Sequence, residues 1–212
     1  ERSMARRKKE ARSVHRKTIS TAAEQLFIKK GIENTSMSDI AEAAGYSKAT
    51  LYVYFQIKEE LVGFLVLESM RRLYDYMQAA LQKQRDTAEC YREICLSLVR
   101  YQEEYPFYFH MVLEKINVDF TAGHFLPEEK ETFLVGEKIN GLLADFLESG
   151  IARGDIRPDI EVMPTIFSLW GMLAGLIRLA DTKQEYIAQS MKKSRQDFLF
   201  YGFDLLYRSI VL

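Results

Sequence analysis

Apolar residues along the chain recur at helical spacing rather than in alternation. The first clear stripe follows the positions i, i+3, i+4, i+7 and i+8: Ile19, Ala22, Ala23, Leu26 and Phe27. Lys29, Lys30 and Gly31 follow directly, and basic residues with a glycine are typical of a helix end. The pattern therefore predicts a first helix that ends near residue 30.

Residues 36–55 have the pattern of two short helices joined by a turn. The run S36-M-S-D39 has the form of a capping box, with Asp in place of the usual Glu. The apolar stripe that follows ends at Gly45, and Ser47 then offers a second N-cap, so a third helix fits only residues 48–55. Two short helices separated by a glycine turn are typical of a helix-turn-helix.

The remainder of the chain predicts further helices. One long helix of roughly 25 residues begins at Lys58, as the unbroken helical pattern indicates. Later helices are predicted at about 88–104, 106–118, 128–149, 159–181 and 185–209. With only four prolines in 212 residues, we expect an all-α protein. Its expected organisation is a basic N-terminal arm at 1–12, a helix-turn-helix domain at 13–60 and a helical body at 61–212.

Charge is unevenly distributed along the chain. The net charge is −1, yet residues 1–30 carry ten lysines and arginines against three glutamates, which is +7, so the remainder carries −8. The segment RRKKEARSVHRK is compatible with an arm that reaches a minor groove or a DNA backbone, and equally with a solvated tail. Residues 1–3, which precede Met4, are expected to be non-native.

Cysteine content and apolar run lengths limit the class of protein. Two cysteines, Cys90 and Cys95, fit a reducing compartment and are predicted to be core thiols. His110 has no second His or Cys at i+3 or i+4, so we expect no metal site, and no cofactor motif occurs. The longest uncharged run, 162–177, is too short to span a bilayer, which predicts a cytoplasmic protein without a membrane partner.

The short third helix carries groups that suit base recognition. A helix in the major groove presents its first turn to base edges. Lys48 can donate to guanine, Thr50 can bond a base or touch a thymine methyl, and Ala49 allows close approach. Leu51 and Phe55, four residues apart, are predicted to anchor the opposite side of this helix.

Neighbouring residues are candidates for phosphate contacts, which fix register without reading sequence. Tyr52 and Tyr54 offer hydroxyls, Thr35 and Ser36 lie at the start of the second helix, and Lys58 starts the fourth. The predicted DNA contacts are Thr35, Ser36, Tyr46, Ser47, Lys48, Ala49, Thr50, Tyr52, Tyr54 and Lys58. The alternative interpretation is a tyrosine-rich core helix.

Residues 13–62 resemble the DNA-binding domain of the TetR family of bacterial repressors. The family motif dIA..AGvSkgtlYyyF..KeeL is matched by D39-I-A, A44-G-Y-S-K-A-T-L-Y-V-Y-F55 and K58-E-E-L61. Tyr46 replaces a usual small aliphatic residue, and Ala49 replaces a usual Gly or Pro. The resemblance implies a homodimeric transcriptional regulator, with repression as the expected direction, in which the long fourth helix links a DNA-binding head to a ligand-binding body.

The C-terminal helices predict a homodimer. The segment 159–181 is apolar nearly all round and needs cover on more than one side. A four-helix bundle, formed by 159–181 and 185–209 of two subunits, would provide this cover, and a wholly intramolecular core is the alternative. The predicted interface residues are Phe167, Gly171, Gly175, Phe198, Tyr201, Gly202 and Leu205. Gly171 and Gly175 have the G-x-x-x-G spacing that permits another helix to approach closely.

Aromatic residues with polar tips are candidates for an effector pocket, because such pockets are mainly apolar with few polar groups. The candidates are Tyr74, Tyr101, Phe107, Phe109, His110, Phe133 and Trp170. Trp170 leads this set, since the only Trp lies on the most apolar helix and its N–H needs an acceptor. Ordinary core packing is the alternative for each of them.

These observations together predict a ligand-responsive regulator that binds palindromic double-stranded DNA as a homodimer and is released by a small apolar or aromatic effector. The alternative is a helical protein-interaction module that no longer reads DNA. An enzyme is not expected, because the chain lacks G-x-G-x-x-G, a P-loop, G-x-S-x-G and H-E-x-x-H.

Overall fold

The chain folds into α-helices, as a computed structural model that describes residues 2–82, 86–114 and 126–212 shows. The helices are α1 (Arg2–Lys30), α2 (Met37–Ala43), α3 (Lys48–Tyr54), α4 (Lys58–Leu81), α5 (Thr87–Glu104), α6 (Pro106–Glu114), α7 (Pro127–Arg153), α8 (Val162–Thr182), α9 (Gln184–Ser190) and α10 (Arg195–Arg208). In the described ranges the β-structure is limited to one isolated antiparallel bridge between Ile156 and Val211. The predicted all-α class is confirmed.

The helices group into two compact units. Unit 1 comprises Glu1–Ser69 with Glu114–Thr132, and unit 2 comprises Met70–Leu113 with Phe133–Leu212. Unit 1 therefore contains α1, α2 and α3, and unit 2 contains α5, α8, α9, α10 and all of α6 except Glu114. Helices α4 and α7 each contribute residues to both units.

The helix-turn-helix in unit 1 forms at the residues that the sequence indicates. Ser36 caps α2 in a reciprocal capping box: its hydroxyl accepts from the Asp39 amide at 3.1 Å, and the Asp39 carboxylate accepts from the Ser36 amide at 3.0 Å. Gly45 has φ +73°, a left-handed value that favours glycine, and this ends α2. Ser47 then caps α3.

The core of unit 1 is small and closed. Its fully buried apolar side chains come from all of the first four helices and from the C-cap of α3: Ile19, Ala23, Ile40, Leu51, Phe55 and Leu61. Seven-residue helices are marginal on their own, so α2 and α3 owe their stability to this packing and to their caps.

Three predicted boundaries were wrong or incomplete. Helix α1 extends back to Arg2, so the predicted arm is helical; its Ala, Arg, Lys and Glu residues are strong helix formers, with no Gly or Pro to stop them. The helix predicted at 185–209 is two helices, because Ser194 forms a capping box with Asp197 that starts α10 anew. Helix α6 is described only to Glu114, so the predicted residues 115–118 lie outside the described ranges.

Unit 2 is built around the packing of α5, α8 and α10. The hydroxyl of buried Tyr91 donates to the Phe203 carbonyl at 3.0 Å and joins α5 to α10. Gly202 lets α10 approach α8 closely, since a Cβ at this position would overlap a methyl carbon of Leu176. Both cysteines are free thiols; Cys95 is buried, and burial raises its pKa to about 12.

Helix α8 is longer than its uncharged stretch. Its 21 residues are sufficient, by length and composition alone, to cross a membrane. The helix nevertheless carries Arg178 and Asp181, and its Leu173 and Ile177 are buried by neighbouring protein. This mixed environment is that of a body helix with one covered and one uncovered side.

Candidate nucleic-acid interface and effector cavity

The outward side of α3 and its flanking caps form what we call the recognition surface: Ser36, Ser47, Lys48, Ala49, Tyr52 and Val53. All six are exposed, whereas Leu51 on the opposite side of α3 is fully buried. Leu51 and Phe55 thus anchor α3 as the sequence predicts. Val53, 65% exposed, is the most exposed large apolar residue of this surface and is not among the predicted DNA contacts.

Ser47 organises the first turn of α3. Its hydroxyl oxygen accepts a hydrogen bond from the Thr50 amide at 3.1 Å and lies 2.8 Å from the Thr50 hydroxyl. Thr50 is half-buried and its hydroxyl already bonds Ser47, while Lys48 and Ala49 remain exposed. The first turn offers an ammonium group and a methyl group to a ligand, with Thr50 beside them.

Tyr46 and Tyr54 form an aromatic cluster with His15 of α1. The Tyr46 hydroxyl lies 2.6 Å from His15 Nδ1, and the His15 and Tyr54 ring centroids are 5.1 Å apart. Both tyrosines are half-buried. The cluster fixes the turn before α3 and the end of α3 against α1, so these tyrosines support the recognition surface as well as border it.

Thr35 occupies a different environment from the one predicted. It is only 1% exposed, its hydroxyl donates to the Gly31 carbonyl at 2.8 Å, and its amide donates to the Ile32 carbonyl at 3.3 Å. Both polar groups thus serve the turn between α1 and α2. Ser36 is exposed beside it, so the start of α2 offers Ser36 rather than Thr35 to solvent.

Lys58 joins the start of α4 to the same turn. Its ammonium donates to the carbonyls of Ile32 at 2.9 Å and Thr35 at 3.3 Å. An ammonium has three donors, so two bonds leave one donor for another partner. Lys58 therefore has a structural role as well, which the sequence analysis did not foresee.

Arg16 is a further residue that the sequence analysis missed. Its guanidinium carbon lies 4.5 Å from the Phe55 ring centroid and 5.0 Å from that of Phe64, which are cation–π distances. One terminal nitrogen donates to Glu128 of α7 at 2.6 Å, while Nε is buried without a partner. Arg16 thus holds α1 against the end of α3, α4 and the start of α7. The four residues are far apart in sequence, and no local motif signals this contact.

Unit 2 contains a small apolar cavity of about 40 Å³. Its lining comes from α4, α5, α7 and α8: Met77, Tyr91, Ile94, Leu98, Ile139, Leu143, Phe146, Leu147, Ile166, Leu169, Trp170 and Leu173. Trp170 is the one predicted pocket residue among them. Tyr91 adds a hydroxyl that already donates to Phe203.

The other predicted pocket residues lie elsewhere. Tyr101 is fully buried within an aromatic cluster, its ring centroid 5.6 Å from that of Tyr76. Phe109 and His110 line a separate cleft of about 150 Å³ with Arg178 and Asp181. The remaining three are dispersed: the Tyr74 hydroxyl accepts from Gln78, Phe107 packs beside Tyr108, and Phe133 is exposed. Helical spacing alone did not distinguish these positions.

Helices α8 and α10 present an exposed apolar face that contains three of the seven predicted interface residues, Phe167, Tyr201 and Leu205. We call it the α8/α10 face: Met163, Phe167, Met172, Leu179, Phe200, Tyr201 and Leu205, all exposed. Gly171 and Gly175 are also exposed, with open space at their Cβ positions. Phe198 is half-buried, and Gly202 is buried against Leu176, so Gly202 serves packing within the chain rather than the outward face.

Comparison with known proteins agrees with this geometry. Residues 19–63 match the family model described as bacterial regulatory proteins, tetR family. The HTH-type transcriptional regulator TtgR of Pseudomonas putida is 36% identical over 97 residues, which are 45% of this chain and 46% of TtgR, so the match spans about half the length of that relative. The transcriptional repressor KstR2 of Mycolicibacterium smegmatis is 26% identical over 66% of each chain.

A solved structure extends the likeness over nearly the whole chain. The crystal structure of AibR in complex with isovaleryl coenzyme A and operator DNA superposes with a TM-score of 0.68, covering 91% of this chain and 98% of AibR at 18% identity. At that identity the likeness concerns the fold alone. Residues 19–63 of this chain are thus similar in sequence to the tetR family of bacterial regulatory proteins, and the chain as a whole is similar in fold to AibR.

Proposed function

We propose that this protein is a transcriptional regulator that binds a palindromic DNA operator as a homodimer and responds to a small apolar or aromatic effector. The observation that carries the proposal is the two-sided character of α3. Leu51 and Phe55 are fully buried, while Lys48, Ala49 and Tyr52 face solvent. A capped helix with an anchored inner side and an exposed first turn fits the major groove.

The contacts divide into base reading and phosphate binding. Lys48 donates to guanine, and Ala49 permits the close approach that this requires. Ser36, Ser47 and Tyr52 offer exposed hydroxyls to phosphate oxygens. The remaining donor of Lys58 and the hydroxyl of Tyr54 complete the phosphate contacts, while Tyr46, Thr35 and Thr50 hold the surface in place.

The α8/α10 face supports a homodimer. It presents large apolar side chains on two helices of one unit, and contiguous apolar surface of this kind marks an interaction site. Gly171 and Gly175 leave room for a partner helix to approach. Two-fold pairing would present two recognition surfaces to successive major grooves, about 34 to 36 Å apart, and the operator would be a palindrome.

The cavity beside Trp170 is the effector site in this proposal. Its lining surface is almost wholly apolar, as expected for a small apolar ligand. At about 40 Å³ it is far below the roughly 300 Å³ of a pocket for a drug-sized ligand, so an effector must displace lining side chains as it enters. The AibR structure holds isovaleryl coenzyme A together with operator DNA, and this supports an effector site on the same fold.

Helix α4 connects the proposed effector site with the proposed DNA contacts. It begins at Lys58, which bonds the α1–α2 turn, and carries Met77, which lines the cavity. An effector that favours another setting of α4 would lower operator affinity by its differential affinity for the two settings, about 1 to 3 kcal/mol. Repression follows if the operator overlaps a promoter, since effector binding then releases the DNA.

Selection of bound fragments from random duplex DNA tests the proposal. We expect a palindromic consensus, with log K falling against log salt at a slope of about −7 if each dimer neutralises about eight phosphates. A matched control is Lys48→Ala, which should relax the consensus at one base pair while retaining general binding. A protein-interaction module would show neither enrichment nor a salt slope, and that outcome would overturn the proposal.

A further inference from the structure

The outward side of α3 carries an apolar strip that the polar contacts leave unexplained. Val53 lies two residues after Leu51 and Ala49 two residues before it, so at about 100° per residue both lie opposite the buried anchor. The two are four apart and therefore adjacent on one face. Val53 is 65% exposed, against 40% for neighbouring Tyr52.

The stability of the fold does not account for a valine at this position. A β-branched side chain loses rotamer freedom in a helix and is a weaker helix former than alanine. Its methyl groups are mostly in water, whereas the packing of α3 rests on fully buried Leu51 and Phe55. Val53 therefore slightly lowers the stability of the isolated chain, and its methyl groups become favourable only when another surface covers them.

The neighbourhood of Val53 indicates what that surface is. The exposed surface of α3 and its N-cap also offers the Lys48 ammonium and the Ser47 hydroxyl, and α1 of the same unit carries ten lysines and arginines against two glutamates. Two small apolar side chains are too little for a protein–protein interface, which buries roughly 1,000 Å² or more in total. In the major groove, the apolar group on a base edge is the thymine C5-methyl.

We propose that Val53, with Ala49 beside it, reads the C5-methyl group of a thymine in each operator half-site. The inference rests on the proposed function and adds to it a residue that determines specificity, Val53, and the base that it recognises, thymine. Lys48 supplies the polar contact of the readout from the first turn, and Val53 supplies the apolar contact from the following turn. Because a cytosine presents no methyl group here, this contact discriminates thymine from cytosine.

Replacement of thymine by deoxyuridine tests the contact directly, since it removes only the C5-methyl and keeps every base-edge hydrogen bond. Each thymine of the selected operator is replaced in turn, in both half-sites at once, and the affinity of the full-length dimer is measured. We expect one position at which the wild type binds about fourfold more weakly per methyl removed, the value for burial of one methylene-sized group.

The variant Val53→Ala should bind the thymine and deoxyuridine operators with nearly equal affinity at that position. Ile28→Ala is the matched control, because Ile28 is also a β-branched apolar residue of unit 1, is 61% exposed on α1 and lies outside the segment RRKKEARSVHRK, and it should retain the wild-type ratio. The comparison of ratios also cancels any effect of deoxyuridine on duplex shape. Thermal unfolding should confirm that both variants are folded.

Three outcomes would overturn the inference in distinguishable ways. If the wild type binds its operator specifically but no thymine is methyl-sensitive, only the inference fails and the proposed function stands. If a sensitive thymine exists but Val53→Ala keeps the wild-type ratio, another residue reads the methyl. If no duplex is bound specifically, the proposed function and the inference fail together.

Discussion

The helix-turn-helix of unit 1 and the α8/α10 region of unit 2 differ in how much of their apolar surface they bury within one chain. Helices α2 and α3 have seven residues each, begin at capping serines, and bury Ile40 and Leu51 completely within one chain. Helix α8 has 21 residues but leaves Phe167 and Leu179 exposed. The first region buries its apolar anchors within one chain, whereas the second leaves large apolar side chains exposed.

The largest effect should come from a charge placed on the α8/α10 face. Leu205 is 58% exposed in the chain, and in the proposed dimer Leu205→Asp would bury one unpaired carboxylate per subunit. Each such charge costs roughly 3 to 5 kcal/mol, so sedimentation equilibrium should find monomers at micromolar concentration. Ile28→Asp, at an equally exposed position of α1, should leave the dimer intact. A dimeric Leu205→Asp protein would place the interface elsewhere.

Truncation of the helix-turn-helix anchor should have the next largest effect. Leu51→Ala removes a fully buried side chain and should cost about 2 to 5 kcal/mol of unfolding free energy, measured by urea denaturation. The matched truncation Leu205→Ala should cost the fold less than about 1 kcal/mol and weaken dimerisation instead. Equal effects of the two truncations on unfolding would remove the contrast between the regions.

Loss of the Lys48 ammonium should act on sequence preference. Lys48→Ala should cost about 1 to 3 kcal/mol of operator affinity and relax the consensus at one base pair, measured by competition with mutated operators. Lys58→Ala should instead weaken all sequences alike and reduce the salt slope by about one. It should also lower stability, because Lys58 holds the Ile32 and Thr35 carbonyls. Identical behaviour of the two variants in the competition assay would contradict the division into base and phosphate contacts.

The smallest effect should come from the caps. Ser36 and Ser194 head capping boxes of the same composition, paired with Asp39 and Asp197, in unit 1 and unit 2 respectively. Each Ser→Ala change should cost about 1 kcal/mol of unfolding free energy. Only Ser36→Ala should also weaken operator binding, which filter binding at fixed salt would measure. A loss of binding in Ser194→Ala as well would mean that the effect is general destabilisation.

The caps also predict a dependence on pH. Hydrogen bonds from the Ser36 amide and hydroxyl lower the pKa of Asp39, and those from the Ser194 hydroxyl and amide lower the pKa of Asp197. A lowered folded-state pKa means that the cap stabilises the fold fully above the ordinary Asp pKa. This contribution is lost as pH falls through the lowered value.

Local signals predicted the fold well where they determine structure. The capping box at Ser36, the turn at Gly45 and the anchors Leu51 and Phe55 were all correct, because each depends on residues within a few positions of one another. The break before α10 was missed although S194-R-Q-D197 repeats the same cap signal. There the continuous apolar pattern of 185–209 was given more weight than the cap.

The candidate site was harder to predict where long-range contacts decide it. Burial of Thr35 by the α1–α2 turn, and the contact of Arg16 with Glu128 across 112 positions, depend on how helices meet. The cavity beside Trp170 draws its lining from four helices, and periodicity ranks the apolar face of a helix without indicating which residues of it stay uncovered. Val53 was accessible from the helical wheel, but its apolar character did not suggest a role.

At Gly45, only one of the two usual reasons for a glycine applies: the backbone conformation requires it, but the space around it does not. Its backbone is left-handed, yet no atom lies within 4 Å of the place a Cβ would occupy. An L-residue is thus disfavoured there by backbone conformation, whereas a D-alanine introduced by chemical ligation would adopt this φ without that penalty. By restricting the unfolded chain, the mirror-image residue would stiffen the turn that precedes α3.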